Sequence, residues 1–129
     1  MIITVASYKG GVGKTTTALH IAACLQKKAP TLLIDGDVIR AATLWGQRGE
    51  GFPFQLADGA EALKAAHGFK KGHIVIDTEA NPSHLDFRTV VQSCDLLIIP
   101  AVPEQTATDG LIYTLSKLKE FDGTRYRVL

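Results

Sequence analysis

The chain has 129 residues, of which 46% are hydrophobic and 21% are charged, and its formal net charge is +1. This length fits one domain around one core, and a charge so close to zero gives no argument by itself for binding nucleic acid or an anionic membrane. The sequence has no apolar run long enough to span a bilayer and no basic leader of a secretory signal, so we expect a cytoplasmic protein. The two cysteines, Cys24 and Cys94, lack metal-ligand spacing and are expected to be buried, unpaired thiols.

Apolar segments rich in β-branched residues alternate along the chain with segments of helical periodicity. We predict strands at 2–7, 31–34, 73–76, 95–99 and 125–129, and a weaker edge strand at 54–57. The predicted helices occupy 14–28, 41–48, 61–67, 84–93 and 104–120, and a turn is predicted at 122–123. Such alternation is typical of an α/β fold, in which a mostly parallel sheet carries helices on both faces. We therefore treat residues 1–129 as a single domain.

Residues 7–17, here called the phosphate loop, connect the first predicted strand to the first predicted helix and are rich in glycine. Glycine lets the backbone curve so that successive N–H groups point at one anion, and the start of the helix adds the positive end of its dipole. Lys14 supplies a positive charge for the β- and γ-phosphates, and the Thr15 hydroxyl is placed to bind magnesium. The pattern therefore predicts a P-loop NTPase. The alternative is a glycine-rich turn with a solvated lysine, but motif, strand and helix agree with one another.

Acidic side chains follow two other predicted strands. Asp35 and Asp37 come after the strand at 31–34, and Asp77 ends the run His-Ile-Val-Ile. Ligands of open α/β sheets bind at the carboxyl ends of the strands, so we expect these carboxylates to lie near the phosphate loop. The pattern before Asp77 is that of a Walker B strand, whose acidic residue lies near magnesium, here through water. For Asp35, Asp37 or Asp77 considered alone, the alternative is an aspartate that only caps a turn and has no role in binding or catalysis.

The loop sequence resembles the deviant Walker A motif of the ParA/MinD family of P-loop ATPases. Tyr8 stands where the usual pattern has its first glycine. Members that resemble MinD usually keep that glycine, whereas plasmid and chromosome partition ATPases often do not, so the resemblance is greatest to ParA-type partition ATPases. The resemblance implies that Lys14 is catalytic and that Lys9 reaches across a dimer to the nucleotide of the partner subunit. It also implies an ATP-binding set, which consists of Lys9, Gly10, Gly11, Val12, Gly13, Lys14, Thr15 and Thr16.

The stretch 35–45 resembles the D-x-D segment of the same family. The resemblance implies that Asp37 positions or activates the attacking water and that Asp35 supports magnesium. The implied magnesium set is therefore Thr15, Asp35 and Asp77. The sequence departs from the family pattern at Val38 and Ile39, where many members have Pro-Gln, and this departure leaves both carboxylates in place.

Taken together, the resemblance implies an ATPase that forms a sandwich dimer with ATP and Mg²⁺ and binds nonspecific DNA. Its ATP hydrolysis would be slow and would be stimulated by a ParB-like protein. This cycle would position plasmid, chromosome or organelle cargo at the nucleoid. No membrane association is expected. Two alternatives stay open, a MinD-like membrane-associated positioning ATPase and a nucleotide-dependent binding module with little turnover. Because ParA-like domains are longer, we expect this chain to lack their C-terminal elements.

Overall fold

The computed structural model describes residues 1–59, 61–121, 123 and 125–129. Over these residues, strands alternate with helices from one end to the other. The strands are β1 (Ile2–Val5), β2 (Thr31–Gly36), β3 (Gln55–Asp58), β4 (His73–Thr78), β5 (Leu96–Ile99) and β6 (Tyr126–Val128). The helices are α1 (Lys14–Gln26), α2 (Ala41–Arg48), α3 (Ala62–Gly68), α4 (His84–Ser93) and α5 (Gln105–Glu120).

The strands form one sheet in the order β3-β2-β4-β1-β5-β6, and every neighbouring pair is parallel. Parallel neighbours require a crossover connection, and the helices supply it. The central strands β1, β2, β4 and β5 are apolar and largely buried because the sheet is covered on both faces. The α/β fold of a P-loop NTPase with a parallel sheet is thus confirmed.

Alternate residues of the strands face two separate helix layers. On one face, Ile3, Val5 and Leu33 pack with residues of α1 and α2 such as Ala18 and Ala42. On the other face, α4 and α5 cover one cluster of strand residues and α3 covers a second. Side chains of a strand alternate between faces, so this division follows directly from the sequence period. The two layers hold the carboxyl ends of the strands rigidly at one edge of the domain.

The predicted elements are all present, with ends that differ by one or two residues at most positions. The predicted edge strand lies at the edge of the sheet as β3. Residue 122 of the predicted turn lies outside the described residues. One expectation is wrong: Cys24 is exposed on α1, whereas Cys94 is buried, and both thiols are free. The stripe on α1 that faces the sheet is formed by Ala18, Leu19 and Ala22, and Cys24 falls outside it.

Candidate functional site

The phosphate loop runs from the end of β1 to the first residue of α1. Gly11 and Gly13 have φ angles of +75° and +88°, in the left-handed region that favours glycine. Gly13 is the N-cap residue of α1 and has no side chain with which to cap the helix start. The first N–H groups of a helix need a partner from outside it, and here a bound anion can supply that partner.

Lys14 lies inside the loop with only 8% of its surface exposed. Its Nζ donates a hydrogen bond to the Lys9 carbonyl oxygen at 3.0 Å. Burial lowers the pKa of Lys14, and the nearby carboxylates of Asp77 and Asp37 act in the opposite direction. The ammonium group is therefore held at the centre of the loop, between its backbone and two carboxylates.

The sheet register brings the acidic strand ends into one row with the phosphate loop. Asp35 of β2 is the register partner of Asp77 of β4, and Asp77 is in turn the partner of Val5 at the end of β1. Thr78 reinforces this junction, because its hydroxyl donates to the Val5 carbonyl oxygen at 2.9 Å. The carboxylates predicted at the strand ends thus lie beside the loop that follows β1.

Asp77 is a fully buried carboxylate without a hydrogen-bond partner on either oxygen among the described residues. Burial raises the pKa of Asp77 to about 6. The neighbouring Thr15 hydroxyl and Lys14 act to lower that pKa, and the charges of Asp35 and Asp37 act to raise it further. Thr15 is close enough for this effect but makes no hydrogen bond of ordinary geometry with Asp77. An orphaned buried carboxylate beside a hydroxyl fits a hydrated Mg²⁺ ion, whose preferred ligands are oxygens.

Asp35 is also buried, but its oxygens are already engaged. Its Oδ2 accepts hydrogen bonds from the Thr43 N–H at 2.8 Å and from the Thr43 hydroxyl at 2.7 Å. Its Oδ1 accepts a longer bond from the Asp37 N–H at 3.3 Å. Asp35 therefore ties the end of β2 to the first turn of α2, and its charge adds to the negative potential around Asp77.

Asp37 lies half-buried at the edge of the same group. Its Oδ1 accepts the Ile39 N–H at 3.1 Å, and its carbonyl oxygen accepts the Arg40 N–H at 3.0 Å. These bonds form a tight turn that leaves Val38 and Ile39 exposed by 80% and 73%. The turn holds the Asp37 carboxylate near Lys14 and Asp77, and the charge of Asp37 affects the pKa of both.

No three His, Cys, Asp or Glu side chains converge on one point within the part of the chain that the structure describes. A magnesium ion at Thr15 and Asp77 would therefore need other oxygens. Mg²⁺ in nucleotide sites commonly keeps several waters and takes substrate phosphates as ligands, so few protein ligands are required. The arrangement fits an ion bound together with a nucleotide rather than a preformed metal cage.

Two contacts of the loop were not predicted from the sequence. Gly110 and Thr114 of α5 touch the start of the phosphate loop at Lys9 and Tyr8. The available signal was a glycine inside a predicted helix, which lowers helix stability and therefore suggests a close approach. The identity of the approaching segment depends on the tertiary fold, which places β5 and α5 next to β1.

Residues 3–120 match the family described as CobQ/CobB/MinD/ParA nucleotide binding domain. A maintenance of carboxysome distribution protein A from Gloeobacter kilaueensis is 35% identical over 99% of this chain, and a protein ParA from Rhizobium radiobacter is 30% identical over 80%. The chain spans 61% and 49% of the lengths of these two relatives.

Solved structures show the same fold. A plasmid partition protein from Borrelia burgdorferi bound to AMPPNP aligns with 98% of this chain at a TM-score of 0.77 and 23% identity, and the chain covers 72% of it. A McdA variant from Cyanothece in complex with ATP aligns with 99% of the chain at a TM-score of 0.72 and 21% identity, with 67% of that protein covered. Among the described residues, none of the helices is long and apolar enough to cross a membrane.

Proposed function

Because the chain belongs to the CobQ/CobB/MinD/ParA family of nucleotide-binding domains, we propose that it acts as a ParA-type positioning ATPase. The observation that carries the proposal is Asp77, a buried carboxylate next to Thr15 that has no hydrogen-bond partner among the described residues. This position needs a cation, and the loop beside it is built to hold an anion. A nucleotide with Mg²⁺ satisfies both requirements at once.

In the proposed site, the N–H groups of the loop and Lys14 hold the phosphates of ATP, and Thr15 and Asp77 hold the ion, with Asp35 contributing charge. Bound Mg²⁺ supplies positive charge that neutralises the phosphates and favours transfer of the γ-phosphoryl group. Asp37 orients the attacking water from the edge of the site. Burial lowers the pKa of Lys14, and the carboxylates of Asp77 and Asp37 oppose this effect.

Lys9 has a different role in the proposal. Its carbonyl oxygen faces Lys14 of its own loop, and its side chain lies at the loop entrance. We assign the Lys9 ammonium to the nucleotide held by a second copy of the chain, where it stabilises charge in the manner of an arginine finger. The active form is then a homodimer with ATP and Mg²⁺ at its interface.

The proposed cycle continues with a partner surface. One solved relative is a ParA bound to nonspecific DNA, and another is a complex of MinC with MinD. We propose nonspecific DNA as the surface for this chain and a ParB-like protein as the activator of slow hydrolysis, since a ParA from Rhizobium radiobacter is among its relatives. The cargo would be a plasmid, a chromosome region or a protein organelle at the nucleoid.

The experiment that tests this proposal is light scattering coupled to size-exclusion chromatography, with and without ATP and Mg²⁺. The wild-type protein is expected to double its mass with ATP. Lys9→Ala is expected to stay monomeric because it lacks the charge that reaches the partner's nucleotide. Asp37→Ala is expected to stay dimeric for longer than wild type, because its ATP is not consumed.

Glu50→Gln, at an exposed position far along the chain from the loop, is the matched control and is expected to dimerise as wild type does. A protein that binds ATP without any change of mass would contradict the dimer. It would favour the second candidate, a nucleotide-dependent binding module.

A further inference from the structure

The entrance of the phosphate loop lies against helix α5 at two small residues one turn apart, Gly110 and Thr114. At Gly110, a Cβ atom added to the helix would lie 2.8 Å from the Lys9 Cβ and 3.5 Å from its Cγ. Real Cβ contacts are longer than this, so the Lys9 stem passes directly over the space that a side chain would fill. Only glycine allows this approach without a shift of the loop.

Thr114 makes the second contact and is fully buried. Its hydroxyl donates to the Gly110 carbonyl oxygen at 2.7 Å and accepts the Tyr8 N–H at 3.3 Å. One hydroxyl thus links the backbone of α5 to the residue immediately before Lys9. Gly110 and Thr114 together are called the α5 notch.

Tyr8 strengthens the same contact through its ring. The ring lies 4.8 Å from that of Tyr113, edge to face, and 4.8 Å from that of Phe87 on α4. Such pairs add to the stability gained from burial. A glycine at this position, as in the usual phosphate-loop pattern, would lack these contacts.

Lys9 is consequently fixed at three points. Its N–H donates to the Ser7 hydroxyl at 3.2 Å, its carbonyl oxygen accepts from Lys14, and its side-chain stem lies on Gly110. Two of these points belong to the loop, and the third, together with the Thr114 bond and the ring contacts of Tyr8, sets the loop against α4 and α5. The direction in which the Lys9 side chain leaves the loop is thus determined by α5.

We propose that the α5 notch is a positioning device that aims Lys9 at the nucleotide of a second subunit. This inference rests on the proposed function, since it deepens the role of Lys9 in the dimer. Gly110 and Thr114 act through Lys9 and do not touch the nucleotide. The cradle formed by residues 10–16 is expected to bind ATP normally when the notch is altered.

The first test is Gly110→Ala in the intact protein, with ATP binding and basal ATP turnover measured separately at saturating Mg²⁺. Alanine favours a helix over glycine, so the added methyl group is not expected to unfold α5. We expect ATP affinity to stay within about threefold of wild type and turnover to fall by about tenfold or more, because small displacements of a catalytic group have large effects on rate. Gly68→Ala at the end of α3, where no atom of the described residues lies within 4 Å of the added Cβ, is the matched control and is expected to match wild type.

A mixing experiment then separates misdirected Lys9 from general damage. Asp37→Ala subunits retain Lys9 but cannot use their own site, and Gly110→Ala subunits retain Asp37 but misdirect Lys9. A mixed dimer contains one complete site, in which Lys9 comes from the Asp37→Ala subunit. We therefore expect the ATP turnover of the mixture to be well above the sum of the turnovers of the two separate variants. A mixture of Lys9→Ala with Asp37→Ala is expected to recover turnover in the same way.

The outcomes of mixing distinguish the two proposals. If Lys9→Ala is rescued by Asp37→Ala and Gly110→Ala is not, the notch serves the subunit's own loop and the inference is overturned. If neither is rescued, Lys9 does not act across a dimer, and the proposed function fails together with the inference. A mixture of Gly110→Ala with Lys9→Ala must stay inactive, because both subunits then lack a correctly aimed Lys9.

Thr114 supplies an independent check. Thr114→Val keeps the shape of the side chain but removes the acceptor for the Tyr8 N–H. We expect it to reduce ATP turnover, and we expect mixing with Asp37→Ala subunits to restore that turnover. Thr114→Ser keeps the hydroxyl and is expected to restore most of the turnover. Equal losses in the valine and serine variants would show that packing alone matters and would overturn the proposed role of the Tyr8 bond.

Discussion

Asp77 is buried and has no hydrogen-bond partner within the part of the chain that the structure describes, an arrangement that is costly for a carboxylate without a cation. The folded protein keeps this carboxylate beside Thr15 and near Lys14, and both groups lower its pKa. They only partly offset burial and the charges of Asp35 and Asp37, which raise the pKa. A residue that raises the free energy of the empty protein is often one that the bound state needs. The cost therefore makes a stability measurement informative about function.

The first prediction concerns Asp77→Asn in the nucleotide-free protein. The substitution removes the buried charge at almost constant shape, so we expect the free energy of unfolding near neutral pH to rise by about 1–2 kcal/mol. Urea denaturation followed by circular dichroism measures this change. Glu50→Gln removes an exposed carboxylate in the same way and should leave the stability unchanged, and a loss of stability in Asp77→Asn would contradict the assignment of an uncompensated charge.

The pH dependence follows from the same residue. The pKa of Asp77 rises from an ordinary 3.8 to about 6 on folding, so between these values the folded state binds more protons than the unfolded state. The contribution of Asp77 to stability is then fully present below the lower value and is lost as the pH rises through the upper one. Between pH 3.8 and about 6, the free energy of unfolding of Asp77→Asn should therefore rise relative to that of wild type as the pH increases. A constant difference across the window would contradict the raised pKa.

At the level of the elements, two hydrogen bonds to Asp35 tie the start of α2 to the end of β2. Asp35 receives both the N–H and the hydroxyl of Thr43, so the strand end that carries the site also holds the helix start. Arg40 precedes α2 in a left-handed conformation, with a φ angle of +52°, and the Arg40 side chain does not itself cap the helix. The bonds from Thr43 to Asp35 therefore act together with the turn at Asp37 and with the ion pair between Arg40 and Asp58 at 2.8 Å.

We predict that Thr43→Val lowers the free energy of unfolding by about 1–3 kcal/mol, because it leaves a buried carboxylate without a hydroxyl donor. Thr43→Ser keeps that donor and should lose much less. Thermal unfolding of the three proteins provides the comparison. Equal stability of the valine and serine variants would show that the hydroxyl bond makes no net contribution.

The elements themselves were predictable because each carries its own local signal. Runs of apolar, β-branched residues correctly predicted the central strands. The helix predicted at 41–48 has the same bounds as α2 in the structure. The ends of β2 and β4 were placed too early, since Asp35 and Asp77 are polar and yet belong to the ladder. Cys24 was placed in the core because local periodicity does not reveal how narrow the buried stripe of a helix is.

At the scale of the whole molecule, the sheet order determines the site. The chain returns from β2 by way of the edge strand β3 to β4, which inserts between β1 and β2 and so brings Asp77 next to the loop. The rule that ligands bind at carboxyl ends of strands predicted which residues would share an edge. Two features could not be predicted in this way: the hydrogen bonds from Thr43 to Asp35 and the contact of the Lys9 side chain with Gly110. Both depend on how separate segments pack in the folded chain, which no local sequence pattern encodes.

Titration calorimetry gives the sharpest test of the Mg²⁺–ATP site: ATP binding is measured with and without Mg²⁺ on wild type, Asp77→Asn and Lys14→Ala. We predict that Mg²⁺ strengthens ATP binding by wild type, that this gain falls by about tenfold or more in Asp77→Asn, and that Lys14→Ala binds weakly under both conditions. A magnesium effect of the same size in wild type and Asp77→Asn, or wild-type protein that does not bind ATP, would contradict the assignment of this edge of the sheet as a Mg²⁺–ATP site.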